Sequence, residues 1–293
     1  MLKVWLNITA AMASIGLIVT FIMIVYVCYK LYDGTIGGNQ SLGIVLLFAV
    51  LILYTSIILF IFSPNGIRCI FRQLIYPMAL TLCYAILLVK VMQLRSLVLL
   101  GLGGRISFLN QYMVLFFIVL VQAVLCIQMA FSDRNWILVE TDGTVMCSMK
   151  RSDFLTLHTY SVILALVSFI YGLSVLKIRR NYKEGKWVTI ASGLSIPILL
   201  GWGLIKLLVA EVYHEAGTCF SLLIISTILV GTIFFPKMST ISKQDIRRKK
   251  KKINFHDPVF TIFTELQPQV RKHNHSMPEY LTKNPIYQPS TSI

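Results

Sequence analysis

Apolar residues along the chain fall into seven long runs separated by shorter polar segments. The runs lie at about 5–28, 42–62, 69–89, 112–129, 154–176, 187–208 and 216–235. A helix needs about 20 apolar residues to cross the hydrocarbon core of a bilayer. The pattern therefore predicts an all-α membrane protein built as a bundle of seven membrane-spanning helices.

Lysine and arginine predict which way the bundle faces. With the N-terminus outside, 17 of these residues fall in cytoplasmic segments, 7 lie outside or at outer helix ends, and three lie deep in the tail. An excess of Lys and Arg marks the cytoplasmic side. We therefore expect an outer N-terminus, a transmembrane domain at 1–238, and a basic, largely disordered cytoplasmic tail at 239–293. The tail lacks apolar runs and is rich in Pro, His, Asn and Ser, so it has no material for a core.

The composition supports a membrane protein and argues against nucleic-acid binding. The chain is 56% hydrophobic and 13% charged, whereas a soluble domain carries about 25% charged residues. Its net charge of +15 comes from cations that flank the apolar runs. Such cations are typical of proteins that meet the anionic inner leaflet of a membrane. The predicted surroundings are therefore the lipid bilayer.

The sequence offers no candidate for catalysis or metal binding. Ionisable residues at mid-membrane depth would mark a proton relay or a substrate path. Arg72, Lys206 and Glu211 stand near outer helix ends and Lys90 near an inner end, from which we expect them to reach the interface. The six cysteines are scattered singly, without a CxxC pair or a Cys/His cluster. We expect no enzyme, cofactor or metal, and a small carrier or channel is the least favoured function.

Two of the cysteines are placed where a disulfide is chemically permitted. Cys69 opens the third run on the outer side, and Cys147 lies in the long outer loop between the fourth and fifth runs. Both face an oxidising compartment, in which disulfides form. The alternatives are two unpaired thiols, or pairing with Cys126 or Cys219.

The third inner loop is short and strongly basic. We predict a cytoplasmic coupling surface made of Lys90, Lys177, Arg179, Arg180, Lys183 and Lys186, with Glu184 as its only acid. The alternative is an ordinary positive anchor on the inner membrane face.

The tail carries two further candidate motifs. Six consecutive cations, Arg247, Arg248, Lys249, Lys250, Lys251 and Lys252, predict binding to the inner leaflet. Farther on, Asn284, Pro285 and Tyr287 form an Asn-Pro-Ile-Tyr turn that would present its tyrosine to endocytic adaptors. The alternative for the second motif is an idle turn.

Several short motifs, taken in order, resemble the heptahelical domain of class C (metabotropic glutamate-like) G-protein-coupled receptors. Helix three opens on Cys69-Ile-Phe-Arg72 and runs through Tyr84-Ala-Ile-Leu-Leu-Val to Lys90. Helix six begins near Glu184-Gly-Lys186 and carries Trp202, and helix seven ends on Phe235-Pro236-Lys237. The resemblance covers about 5–241.

The resemblance implies a receptor domain that carries a signal across the plasma membrane, with a heterotrimeric G protein as partner and a homodimer as a further expectation. It implies the Cys69–Cys147 disulfide and places Arg72, Glu184, Trp202, Pro236 and Lys237 in the bundle core and family motifs. The third inner loop and the tail are similar to bride of sevenless proteins and the retinoic-acid-inducible orphan receptors. That narrower likeness implies an alternative function as a membrane-anchored ligand for a receptor tyrosine kinase on a neighbouring cell.

Overall fold

Seven helices form the bulk of the protein, which we describe from a computed structural model. The structure describes residues 2–33, 41–62, 65–99, 108–132, 138–141, 144–147, 150–176, 184–210, 213–240, 242–243 and 246. The helices are α1 (Leu2–Tyr32), α2 (Ser41–Leu59), α3 (Gly66–Leu99), α4 (Phe108–Ser132), α5 (Arg151–Val175), α6 (Glu184–Leu208) and α7 (His214–Leu229). All seven are long and apolar enough to cross a membrane, so the predicted number of spans is confirmed.

The helices differ greatly in how much of their surface the bundle covers. Buried residues make up 78% of the most apolar window of α3, but only 28% in α1 and 22% in α4. Since all three windows are strongly apolar, the uncovered surface of α1 and α4 is suited to lipid rather than water. Helix α3 is therefore the centre of the bundle, and α1 and α4 lie at its edge.

Small residues allow the helices to approach closely. A side chain added at Gly16 of α1 would overlap the ring of Tyr54 in α2, and one added at Gly172 of α5 would overlap Thr189 in α6. Packing over small residues is how helices associate in lipid, where the hydrophobic effect gives no net attraction between them. These two glycines therefore fix the α1–α2 and α5–α6 contacts.

Helix α3 is longer than the apolar run predicted. We expected it to end near Val89, but it continues to Leu99. The expectation was wrong because Lys90, Gln93 and Arg95 interrupt the apolar run without ending the helix. Lys90 consequently lies nine residues inside the helix instead of at its inner end.

The outer loop between α4 and α5 contains a hairpin that the sequence analysis did not predict. Strand β1 (Leu138–Thr141) pairs antiparallel with β2 (Thr144–Cys147), and Leu138 stands opposite Cys147. Four-residue strands are marginal by themselves. The covalent bond at the end of β2, described below, anchors this hairpin to the bundle.

Helix α7 changes its hydrogen-bonding pattern near the inner side. A π-helical turn at Val230–Phe234 follows Leu229, and helical structure then continues through residues 235–240. We call the whole segment at 214–240 helix seven. The chain divides into two units, Met1–Ile241 and Ser242–Ile293. The basic run at 247–252 and the Asn-Pro-Ile-Tyr motif lie outside the described residues, so the tail predictions stay predictions.

Candidate functional site: charged clusters at the two ends of the bundle

The predicted disulfide joins the outer end of α3 to β2. The sulfurs of Cys69 and Cys147 are bonded, with their Cα atoms 5.6 Å apart. That separation lies within the range that disulfides allow. The prediction is confirmed, and the alternative partners Cys126 and Cys219 are buried free thiols. The bond holds the end of the hairpin against α3.

Arg72, one turn into α3 from the disulfide, is buried beneath the outer loop. Its Nε donates to the carbonyl oxygen of Leu59 at 3.0 Å, and its second amino group donates to the carbonyl oxygen of Phe62. Its guanidinium also lies 5.2 Å from the centre of the Phe60 ring. The end of α2 is thereby tied to α3, because carbonyl groups at a helix end lack partners within the helix.

The same guanidinium connects α3 to α7 and to the hairpin. Its other amino group lies 3.6 Å from Oε1 of Glu215, in the first turn of α7, and 3.8 Å from Sγ of Cys147. The Glu215 carboxylate in turn accepts a hydrogen bond from the backbone N–H of Cys147. We call Cys69, Arg72, Cys147 and Glu215 the outer junction.

The burial of Arg72 corrects one expectation. We expected its side chain to extend to the interface, but only 2% of it is exposed. Enough acceptors converge on the guanidinium to replace its hydration, which is the condition for burying a charge. The sequence offered no sign of this, because the accepting carbonyls come from backbone.

Below the outer junction, an aromatic cluster packs inside the outer part of the bundle. The Trp202 ring of α6 lies 4.7 Å from His158 and 5.4 Å from Phe154 of α5, and 5.6 Å from Tyr76 of α3, measured between ring centres. His158 Nε2–H donates to the carbonyl oxygen of Leu199 at 2.8 Å. The cluster joins α3, α5 and α6 through rings, in the edge and stacked arrangements that aromatic side chains prefer.

His158 is a residue that the sequence analysis missed. It stands seven residues into α5, about 10 Å from the helix start along the axis. Its signal was available, because an ionisable side chain inside an apolar run marks a polar contact within the bundle. Trp202, which the family motif indicated, packs beside it and is only 1% exposed.

A second cluster closes the cytoplasmic end of the bundle. Nζ of Lys90 in α3 lies 2.7 Å from Oε1 of Glu184 at the start of α6, and Nζ of Lys237 lies 2.8 Å from the same oxygen. The three side chains are at most 10% exposed. We call Lys90, Glu184 and Lys237 the inner triad, and it joins α3, α6 and the end of helix seven.

Helix α2 also meets this cluster. A side chain added at Gly43, in the first turn of α2, would stand 3.6 Å from Nζ of Lys237 and 3.9 Å from Nζ of Lys90. Both ammonium groups therefore lie close to the N-terminal end of α2, where the helix dipole is positive and disfavours cations. Glu184 is the carboxylate that holds them there.

The energetic character of the triad follows from its burial. Removing one partner of a buried ion pair costs about 3–5 kcal/mol, because the charge that remains has no compensation. Loss of Glu184 would leave two ammonium groups facing each other beside the positive end of α2. The triad is thus stable while all three members are present and strongly repulsive without its carboxylate.

The triad changes the predicted cytoplasmic coupling surface. Lys90 does not lie on an exposed surface, since its charge is used inside the bundle. Lys186 is exposed, with its ammonium group 5.9 Å from the centre of the Trp187 ring. The remaining members, Lys177, Arg179, Arg180 and Lys183, lie outside the described residues. The resemblance supplied Glu184 and Lys237 as separate motif positions but not their contact.

Comparisons with known proteins agree with this architecture. A family model described as "7 transmembrane sweet-taste receptor of 3 GCPR" matches residues 2–237. The human extracellular calcium-sensing receptor is 27% identical over 195 residues, covering 60% of this chain and 18% of that protein. Human metabotropic glutamate receptor 8 is 21% identical over 298 residues, covering 92% and 32%.

A metabotropic glutamate receptor of Drosophila melanogaster is 22% identical over 245 residues, covering 78% of this chain and 25% of the relative. The chain thus spans less than a third of the length of each of these relatives. Its seven spanning helices make it a multi-pass protein of the plasma membrane. The family model matches most of the chain, so the chain belongs to the class C G-protein-coupled receptor family, whose heptahelical domain it contains.

Proposed function

We propose that this chain is a signal-transmitting receptor domain, and that the inner triad controls its access to a heterotrimeric G protein. The observation that carries the proposal is the sharing of one Glu184 oxygen by Lys90 and Lys237 at the cytoplasmic end. While the three side chains are bonded, the inner ends of α3, α6 and helix seven cannot separate. A cytoplasmic partner that inserts between them needs this contact to break.

The outer junction supports the input side of the proposal. Arg72 touches the end of α2, the start of α7 and the disulfide-bonded end of the hairpin, so displacement of the outer loop acts on several helices at once. The aromatic cluster around Trp202 stands between this junction and the triad. A ligand or a neighbouring domain acting from outside would shift the bundle between a bonded and an open state of the triad.

Guanine-nucleotide exchange on membranes that contain the full chain and purified G proteins tests the proposal. Glu184→Gln removes the carboxylate charge and leaves two cations that repel each other, so we expect raised exchange without added ligand. Lys243→Met is the matched control, because it removes an exposed lysine six residues after Lys237 to which no contact with the G protein is assigned. The charge exchange of Lys90→Glu with Glu184→Lys should bring the rate back toward that of the unmodified chain.

The outcome separates the receptor from the alternative function. If Glu184→Gln inserts normally and no G-protein class shows exchange in any variant, the coupling proposal is wrong. A membrane-anchored ligand would behave in that way, although the family relationship does not favour that function. The proposal includes no catalytic step.

The remaining partners are proposed on sequence alone. We propose that the cations at 247–252 hold the start of the tail on the inner leaflet, and that the motif ending at Tyr287 recruits endocytic adaptors. Lys177, Arg179, Arg180, Lys183 and Lys186 would form the rim that meets an acidic surface of the G protein. A homodimer would form through the apolar helix faces that the bundle leaves uncovered.

A further inference from the structure

Helix seven changes from α-helical to π-helical hydrogen bonding shortly before it reaches the inner triad. The backbone N–H of Val230 is shared between the carbonyl oxygens of Ser226 and Thr227, four and three residues back. The N–H of Phe235 donates to the carbonyl oxygen of Val230, five residues back. The π-helical turn between these points holds one residue more than the α-helix it replaces.

The local sequence explains why the turn forms here. Pro236 has no N–H, and in an α-helix its ring would collide with the carbonyl group of Thr232, four residues earlier. The Thr232 hydroxyl donates to the carbonyl oxygen of Ile228 at 2.6 Å, and the Ser226 hydroxyl donates to that of Leu222 at 2.7 Å. Such hydroxyls compete for carbonyls that the α-helical pattern uses. The α-helical pattern is therefore weakened before the turn, by Ser226, and within and after it, by Thr232 and Pro236.

The extra residue decides which side chain faces Glu184. Successive residues of an α-helix are rotated by about 100°, so one additional residue shifts everything that follows by that angle. With the π-helical turn in place, Lys237 takes the direction that Pro236 would have in a continuous α-helix. If the turn became α-helical, Pro236 would face Glu184 and the Lys237 ammonium group would swing away.

The outer part of helix seven is held against such a rotation. Glu215 is bonded within the outer junction. The hydroxyl group of Thr227, which lies one helical turn before Val230, is 3.3 Å from that of Tyr54 in α2. The ring of Tyr54 also packs against Gly16 of α1. With these contacts in place, a change in the turn rotates only the inner end, which carries Lys237.

We propose that the turn at Val230–Phe234 is a register switch: in its π-helical form it directs Lys237 onto Glu184, and its conversion to α-helix withdraws that lysine and opens the inner triad. The consequence for signalling rests on the proposed function. The two registers themselves need no G protein, so the two ideas are tested apart.

Thiol cross-linking measures the register directly. Gly43→Cys and Lys237→Cys are combined, since Nζ of Lys237 lies 3.6 Å from where the new Cβ at residue 43 stands. Cys28 is the exposed free cysteine of the described residues and is changed to Ser as background. A bifunctional reagent with the span of a lysine side chain bridges the pair in the π-helical register. Ser239→Cys with Gly43→Cys is the matched control, because Ser239 is exposed.

Two changes at the turn have different expected effects on the yield of cross-link. Pro236→Ala restores an N–H and removes the ring collision, so the α-helical register gains population and the yield of cross-link falls several-fold. Deletion of Gly231 removes the additional residue at an exposed position where no neighbour lies within 4 Å of an added Cβ. When Pro236→Ala is also present, a continuous α-helix then keeps residue 237 facing Glu184, so the yield stays at its original level.

The double change gives the decisive result. Deletion of Gly231 should cancel the effect of Pro236→Ala and return the yield of cross-link to that of the unmodified turn. If the two changes merely damaged helix seven, the double variant would instead give a lower yield than either single variant. A yield that Pro236→Ala leaves unchanged, or that the deletion does not restore, overturns the proposal. If the yields of cross-link change as expected but no variant promotes nucleotide exchange, the proposed function is wrong and the register switch stands.

A second measurement uses no cysteine substitutions, so it covers the case in which the cysteine variants do not fold. The loss of melting temperature caused by Lys237→Met is compared in three chains: unmodified, Pro236→Ala, and Pro236→Ala with Gly231 deleted. We expect a clear loss in the first and third and a much smaller one in the second, where the lysine already points away. Equal losses in all three overturn the switch.

Discussion

Replacing Arg72 with methionine removes the guanidinium of the outer junction while keeping most of the apolar stem. The carbonyl groups of Leu59 and Phe62 lose a charged donor, and a hydrogen bond to a charged group contributes about 1.5–3 kcal/mol. Glu215 loses its cationic partner as well, although it is 23% exposed and retains part of its hydration. Together these losses predict a destabilisation of about 3–5 kcal/mol. At about 2–4 °C per kcal/mol for a domain near this size, the melting temperature should fall by about 10 °C.

The melting temperature is measured in detergent with a dye that fluoresces on reaction with thiols. Cys83 and Cys219 are completely buried, so they react only as the bundle opens. Arg68→Met is the matched control, since Arg68 is an exposed arginine one turn earlier, where a charge contributes at most about 1 kcal/mol. Arg72→Lys should give an intermediate loss, because an ammonium group lacks the planar fork that reaches two carbonyls. Equal melting of Arg72→Met and Arg68→Met would refute the assigned role of the junction.

Three further predictions concern packing and the tail. Gly172→Ala should cost about 1–3 kcal/mol in melting experiments because its methyl group overlaps Thr189, whereas Gly201→Ala, with open space around it, should be neutral or slightly stabilising; equal behaviour of the two would contradict the close α5–α6 approach. Replacing the six cations at 247–252 with glutamine should release a tail peptide from anionic vesicles at moderate salt, and unchanged binding would rule them out as the anchor. Tyr287→Ala should lengthen surface residence in an antibody-uptake assay without altering vesicle binding, and unchanged uptake would mean an idle turn.

The number of spans could be predicted from sequence because hydropathy measures how readily a segment leaves water for apolar surroundings, whether lipid or the interior of the bundle. The same criterion placed the end of α3 too early, since Lys90 and Gln93 are polar yet lie in a helix most of which packs inside the bundle. An apolar run measures transfer into lipid, whereas a helix continues as long as its backbone is bonded and its side chains have partners. Polar residues at a helix end are therefore ambiguous in sequence.

The charged clusters could be predicted only in part. The disulfide followed from the family resemblance, and so did Glu184 and Lys237 as individual motif positions. Their contact joins residues 53 positions apart, and Lys90 is 94 positions from Glu184, so no local pattern relates them. The burial of Arg72 was harder still to predict, because the groups that accept its hydrogen bonds are backbone carbonyls, which every residue type carries. The turn at Val230–Phe234 depends on Pro236 and on hydroxyls that are also common in ordinary membrane helices.

The position of Arg72 and Lys90 on α3 has a mechanical consequence. They are 18 residues apart, which is five full turns of an α-helix, so they project in the same direction and are separated by about 27 Å along the axis. The central helix thus carries two buried cations on one face, Arg72 toward the outer side and Lys90 toward the cytoplasmic side. Rotation of α3 about its axis would displace both side chains in the same direction, whereas tilting the helix about its middle would displace them in opposite directions. Because Arg72 contacts the outer junction and Lys90 the inner triad, a tilt of α3 caused at the outer side would also move its cytoplasmic contact.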